Sequence, residues 1–501
     1  MKKTILCLTL IYSFFNIDID ARVLPQDVIW NNDETGYYTI DENSIVLVST
    51  IGKKDKKILS SEDLKNKKIE SFSFSQDKKN VLIFTNSVRV WRYNTRGNYW
   101  VYNLKTKQGK RLGSTLPDRS LMFAKFSPNG KKIAYVSKEI IPNSFRNSST
   151  RANIYLETVE GNSIVKLTES DEKGKIINGT FDWVYEEEFS CRDGFLFNDN
   201  SDKIAFWQID ANGVKDFLMI NNTDSIYPFN VPVEYPKVGE DLTPARIGVI
   251  DLNSMDVTWM KIPGESNKFY LPRMTWMPNK DKLMIQQLNR KQNHSRYFVA
   301  NADNGSTELL LEDKDEAWID VRNTWPYQDK AGWKFINGGK EFLYTSEKDG
   351  WSHVYRYDIE KREEFLVTKG DYDVIRPLSF DEEKGDIYFI ASPKDPTERY
   401  LYKTSENNEL ELVTPKLLEG THNYQISTKS RYAFHSFSNY YTRPMQGIVT
   451  LPDHEYISKD DDMLSKFNPS LKDSNPLEFF QITTVDDVTM EGWIVKPDNM
   501  D

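Results

Sequence analysis

Phe126-Ser127-Pro128-Asn129-Gly130-Lys131-Lys132-Ile133-Ala134-Tyr135-Val136 is the stretch on which the fold turns. Pro128 and Asn129 preset a turn, Gly130 supplies positive φ, and the apolar residues beyond it suit a strand covering a half-buried sheet. The phrase returns as Trp276-Met277-Pro278-Asn279-Lys280-Asp281-Lys282-Leu283-Met284-Ile285, and looser copies begin at Trp30, Phe74, Phe197, Phe335, Phe380 and near Ile426. Neighbouring copies lie 44 to 79 residues apart, within or somewhat above the length of a four-stranded propeller blade. Regular repetition of one phrase favours radial stacking over two packed β-sandwiches. The expected fold is therefore all-β, an eight-bladed β-propeller over about residues 22–475. The two widest gaps imply insertions, one holding an acidic cluster and the other the segment from Tyr227 to Pro244. Second strands of the blades are expected to end in phrases such as Tyr99-Trp100-Val101-Tyr102-Asn103-Leu104 and Val354-Tyr355-Arg356-Tyr357-Asp358-Ile359.

Composition agrees with a strand-rich chain. Tyr, Phe and Trp make up 13% of the 501 residues, which suits sheets better than a helical bundle. A formal net charge of −10 argues against a nucleic-acid partner, because phosphate binding needs a concentrated basic face. The lysine runs at Lys53, Lys54, Lys56, Lys57 and at Lys65, Lys67, Lys68 read as solvated turns. At the N-terminus, Lys2 and Lys3 precede an apolar run from Ile5 to Phe15 and then Ala21. That order matches a secretory signal peptide over residues 1–21, too short to span a membrane, and predicts an exported, periplasmic or secreted protein. With Cys7 inside the presumed signal, Cys191 stands alone, so neither an internal disulfide nor a metal site is expected. No later stretch approaches the length of a membrane span.

The tail changes character. Phe479 to Thr484 and Met490 to Pro497 read as one hairpin, after which the given sequence stops at Asp501. One hairpin cannot build a core of its own. No Gly-x-Ser-x-Gly, HExxH, phosphate-binding glycine loop or EF-hand loop occurs, and His294, His353, His422, His435 and His454 are scattered. His353 and His435 fall in strand patterns and read as structural. No catalytic residue, cofactor or metal ligand can be assigned.

The acidic cluster is Asp182-Trp183-Val184-Tyr185-Glu186-Glu187-Glu188-Phe189. Adjacent like charges repel, so the run is either a solvated helical face or a set of carboxylates awaiting a cation. With this motif inserted in a propeller that runs into a Gly492-Trp493 hairpin, the chain resembles the dipeptidyl peptidase IV family of exopeptidases. Val90-Trp91-Arg92-Tyr93, followed by Tyr99 to Leu104, and Tyr235-Pro236-Lys237-Val238-Gly239 carry the same resemblance in the same order. It covers almost the whole mature chain, and the acidic motif separates it from propeller peptidases such as prolyl oligopeptidase.

The resemblance implies a propeller capping an α/β-hydrolase domain, of which residues 476–501 would be the truncated start. It implies that Glu187 and Glu188 grip the α-ammonium of a peptide substrate with a free N-terminus, while Arg92 holds a peptide carbonyl. Held that way, the amine sits two residues from the scissile bond, so dipeptides ending in Pro or Ala are released. Glu186 would face elsewhere on the helix, and Trp183 and Tyr185 would be packing. The serine, aspartate and histidine of the family belong to the domain that this sequence only begins, so the chain alone should be inactive. Little of the family's segment ahead of the propeller remains before Trp30. A homodimer is in doubt because the family's dimer contacts involve the hydrolase domain as well as a propeller arm. The competing expectations are a free-standing propeller that binds peptides or a protein without chemistry, and a decayed product whose tail exposes strand edges.

Overall fold

A computed structural model of the chain describes residues 28–65, 67–90, 92–140, 150–321, 325, 331–405, 409–459 and 476–497. The presumed signal at 1–21, Trp91 and the boundary expected at residue 475 lie outside the described residues.

Among the described residues the protein is built almost wholly of antiparallel strands. A four-stranded sheet spans 29–59. An eight-stranded sheet over 71–166 is two such meanders joined where Arg96 and Gly97 pair with Met122 and Leu121. A five-stranded sheet spans 176–259, and four-stranded sheets span 269–314, 333–366, 374–412 and 421–459. In chain order these make a first to an eighth unit. The residues that head the repeated phrase now have a structural meaning: Trp30, Phe74, Phe126, Trp276 and Phe380 each end the first strand of a unit, as does Ile426, and Phe197 ends the second of two short strands, Ile176–Asn178 and Phe195–Phe197, that share the first strand's place in the fourth unit. Phe335 stands one residue from the end of its strand, Trp333–Ile336.

Side-chain alternation stacks the units. Val81 and Ile83 of the second unit pack with Ile45 and Leu59 of the first, whereas Leu82 between them packs with Ile133 and Tyr135 of the third. Ala134 and Val136 turn the other way, onto Ile204 and Phe206 of the fourth unit. The same exchange continues through Ala205 and Ile285, Met284 and Phe342, Leu343 and Phe389, and Tyr388 and Ala433. Both faces of each phrase strand are thus buried, so these strands read as continuous apolar runs and not as the half-buried alternation expected of them. The succession closes on itself. Trp30 stacks on Tyr432 at 5.9 Å between ring centroids, Tyr37 meets Phe434 edge-on at 4.8 Å, and Glu34 accepts from the Ser427 hydroxyl at 2.9 Å.

One placement differs from expectation. The phrases Tyr99–Asn103 and Val354–Asp358 end third strands, not second, because the phrase strand is already the second of its unit. The insertion that holds Tyr227 carries strands of its own. Asp216–Asn221 and Phe229–Glu234 form a separate hairpin that projects from the fourth unit, with Pro232 in a two-stranded ribbon that has room for a residue lacking an N–H. His353 is buried between Thr368 and the Gly370 carbonyl, a structural role as expected.

Candidate functional site

The acidic cluster folds as one short helix, α1 (Trp183–Glu188), inserted into the fourth unit between strands Ile176–Asn178 and Phe195–Phe197. Two glycines close the base of the insertion. Gly194 donates to the Gly179 carbonyl at 3.0 Å, and a Cβ on Gly194 would lie 2.8 Å from Gly179 backbone. Gly179 itself has φ of +70°, where a side chain would be strained.

Six residues cannot hold a helix by propensity alone, so tertiary contacts do it. Asp182 is the N-cap: its carboxylate accepts from the Tyr185 N–H at 3.0 Å and from the Thr243 hydroxyl at 2.7 Å. Burial pushes the Asp182 carboxyl up, against these hydrogen bonds. Tyr185 points into the core, stacks on Phe181 at 5.6 Å, and accepts the Leu271 N–H at 3.0 Å. Trp183 lies across Tyr235 at 4.6 Å, so the Tyr-Pro-Lys segment braces the outer side of the helix. The packing roles expected of Trp183 and Tyr185 are the ones the structure shows.

With Tyr185 inward, the three glutamates fan outward. Glu186 is half-buried, and burial raises its carboxyl while Lys138 and Arg192 pull it down. Glu187 is met by Arg92, whose guanidinium lies 2.5 Å from its carboxylate. Arg92 arrives from the second unit, where strands Asn80–Val90 and Tyr93–Asn103 each run 11 residues and carry their connection out to α1. The Glu187 side chain is 25% exposed and that of Arg92 is 69% exposed. Such a pair is worth about 0–1 kcal/mol, because water competes for the outer partner. Glu188 is exposed and makes no ion pair among the described residues. The structure therefore brings Arg92 to Glu187 and leaves Glu188 beside them, open.

Three neighbours were not legible as site residues. Arg192 lies 3.7 Å over the Tyr93 ring and clamps the Arg92 connection onto the helix insertion. An aromatic next to Arg92 was the sole sequence signal. Lys138 faces Glu186 from the third unit, and burial pushes its ammonium down. Tyr270, from the fifth unit, feels the charge of Glu188, and burial is the main cause that raises its phenol. Neither of these has a local sequence signature.

A carboxylate-bearing helix capped by aspartate, with its arginine delivered from another sheet, lies wholly inside the region matched by a family profile. That profile is described as "Dipeptidyl peptidase IV (DPP IV) N-terminal region" and matches residues 75–444. The chain belongs to this family. As a dipeptidyl peptidase IV N-terminal region it is 25% identical to the mouse (Mus musculus) "Inactive dipeptidyl peptidase 10" over 389 residues, covering 75% of this chain and 46% of that protein. It is 24% identical to "Dipeptidyl peptidase 4" of Trichophyton rubrum over 459 residues, covering 88% of this chain and 55% of the relative. The chain thus spans about half the length of the curated relatives it matches. The crystal structure of Porphyromonas gingivalis dipeptidyl peptidase 4 superposes with a TM-score of 0.82 at 23% identity, covering 95% of this chain and 65% of that one, and shows the same fold.

Proposed function

We propose that this chain is the substrate-gating N-terminal part of a serine-type dipeptidyl peptidase that releases Xaa-Pro or Xaa-Ala dipeptides from free peptide N-termini. The observation that carries the reading is the state of Glu187. It is a mostly buried carboxylate, fixed on a helix locked into the core, whose only ion-pair partner among the described residues is exposed and weakly held. An entering α-ammonium takes the inner place on Glu187 and the open Glu188, and frees Arg92 to donate to the peptide. In this reading the eight stacked units are an eight-bladed propeller over about residues 22–475, exported after removal of residues 1–21.

The hairpin Leu477–Thr483 and Thr489–Val495 is read as the first of an α/β-hydrolase domain. Phe479, Phe480, Ile482, Met490 and Trp493 stand exposed on it, which supports a domain packed over them. The test is dipeptide release from a Gly-Pro chromogenic amide by the complete polypeptide encoded with this sequence. Release is expected, and its absence together with the absence of a Gly-x-Ser-x-Gly motif beyond Asp501 would overturn the proposal.

A homodimer rests on the projecting hairpin, where Leu218, Met219, Ile220, Ile226 and Tyr227 are each more than half exposed. Sedimentation at micromolar concentration is expected to give a dimer that Ile220→Asp converts to monomer; a monomeric parent chain would exclude it. The second reading, a peptide-binding propeller without chemistry, is favoured by the resemblance to a relative named inactive. It predicts Gly-Pro binding with no release in the complete polypeptide.

A further inference from the structure

A cavity of about 610 Å³ lies away from α1, lined by residues of the first, second, sixth, seventh and eighth units. Its walls are the closing residues of first strands and the turns after them, as at Trp30, Phe74 and Ile426. It therefore sits where the stacked units converge. Neither Arg92, Glu187 nor Glu188 lines it.

The charge on its wall is one-sided. Lys78 and Lys334 line it and, among the described residues, no carboxylate does, in a chain whose net charge is −10. The three acids on the same turns already accept hydrogen bonds: Asp33 accepts from the Thr35 N–H at 3.2 Å and the Thr35 hydroxyl at 2.8 Å. Glu34 accepts from the Ser427 hydroxyl and, at 2.6 Å, from the Lys429 N–H. Asp77 accepts from the Ser75 hydroxyl at 2.7 Å and the Lys79 N–H at 3.1 Å. Lys334 is half-buried and makes no ion pair among the described residues. Lys78 lies over the face of Tyr38, 5.1 Å from its ammonium, and burial pushes its pKa down while the charge of Asp33 opposes that. Neither lysine makes an ion pair among the described residues, so an incoming anion would meet two half-buried ammonium groups.

The same wall carries aromatic surface: Trp30, Phe74 and Trp325 line it, and Trp325 is only 5% exposed. Two cations thus stand beside apolar rings, with no charged acceptor lining the cavity among the described residues. The volume falls in the range of small-molecule sites.

We propose that this cavity binds a small organic anion whose carboxylate or phosphate oxygens meet Lys78 and Lys334 while its apolar body lies against the tryptophans. The site is independent of the peptide-binding reading of α1. The test is calorimetry on the full chain with three probes: inorganic phosphate, adenosine monophosphate and phenylacetate. Binding of adenosine monophosphate or of phenylacetate is expected, and which of them binds separates a phosphate from a carboxylate ligand. Lys78→Met and Lys334→Met are each expected to weaken it at least tenfold, Lys334→Arg to retain it, and Lys56→Met, at an exposed lysine outside the cavity, to leave it unchanged. Heat from inorganic phosphate alone, from no probe, or lost equally in Lys56→Met would overturn the proposal. Should Lys334→Met lower the melting temperature, the Lys334→Arg and Lys78→Met pair decides on its own.

Discussion

Replacing both Glu187 and Glu188 by glutamine in the complete polypeptide is expected to lower kcat/KM for a Gly-Pro amide by roughly 10²- to 10⁴-fold. Each carboxylate would contribute a charge-assisted hydrogen bond to the substrate ammonium, worth about 1.5–3 kcal/mol against a neutral acceptor. The isosteric change keeps α1 intact, because its anchors are Asp182 and Tyr185 and not the glutamates. Much of the loss should appear in KM, since the ammonium lies away from the reacting bond and is held alike in ground and transition states. Glu186→Gln should change kcat/KM less than threefold, because Glu186 is half-buried and lies in the field of Lys138 and Arg192, apart from the Arg92–Glu187 pair. Arg92→Ala should also reduce kcat/KM, by a smaller factor, since it removes a competitor for Glu187 along with a donor to the peptide. Steady-state kinetics on the three variants reads all of this; equal activity of the double variant and the parent would end the ammonium-gripping role.

The second large effect is acid lability of the eighth unit. His422 donates from Nε2 to the Leu418 carbonyl at 2.8 Å, which leaves its Nδ1 to accept from His435 Nε2, also at 2.8 Å. His435 Nδ1 must then accept from the Tyr456 hydroxyl, and His454 Nε2 meets the Tyr424 hydroxyl, each at 2.8 Å. A chain of three neutral rings satisfies each of these bonds. The facing groups are Tyr400, Tyr424, Tyr456 and Phe437, and the nearby carboxylate of Glu398 is bonded to the Tyr400 hydroxyl. No carboxylate bonds to any of the three rings among the described contacts.

Burial therefore holds His422 down to about 4, and pushes His435 and His454 below the usual histidine range as well. A histidine whose folded pKa is depressed stabilises the fold fully above its unfolded value near 6.5 and loses that contribution as pH falls toward the folded value. For His422 alone the loss between pH 6.5 and 4 amounts to about 3 kcal/mol. Urea unfolding from pH 7.5 to 4.5 should show stability falling steeply below 6.5. His435→Asn should lower stability at pH 7.5 and flatten the slope. A pH-independent midpoint over that window would refute the neutral chain.

What could be seen in the sequence was what depends on near neighbours. Phe126, Trp276 and their counterparts are followed by turn-forming residues within a few positions, so strand ends could be placed almost to the residue. The acidic helix could be placed too, because Asp182 precedes its first turn as a cap should. The burial of both faces could not, since it follows from units stacking on each other. The Tyr93–Arg192 clamp, Lys138 and Tyr270 likewise join units remote in sequence, and the three histidines looked scattered because Leu418 to Tyr456 must fold before they line up.

The bond between Glu34 and Ser427 joins residues 393 positions apart. At synthesis rates of about 5–20 residues per second, roughly 20–80 s separate the emergence of its two ends. For that time Trp30 and Tyr37 have no partner ring from the eighth unit, and the first sheet's face stays open to any other strand. The chain is then safest if it is kept unfolded until its last sheet arrives, a demand that export in an extended state would meet.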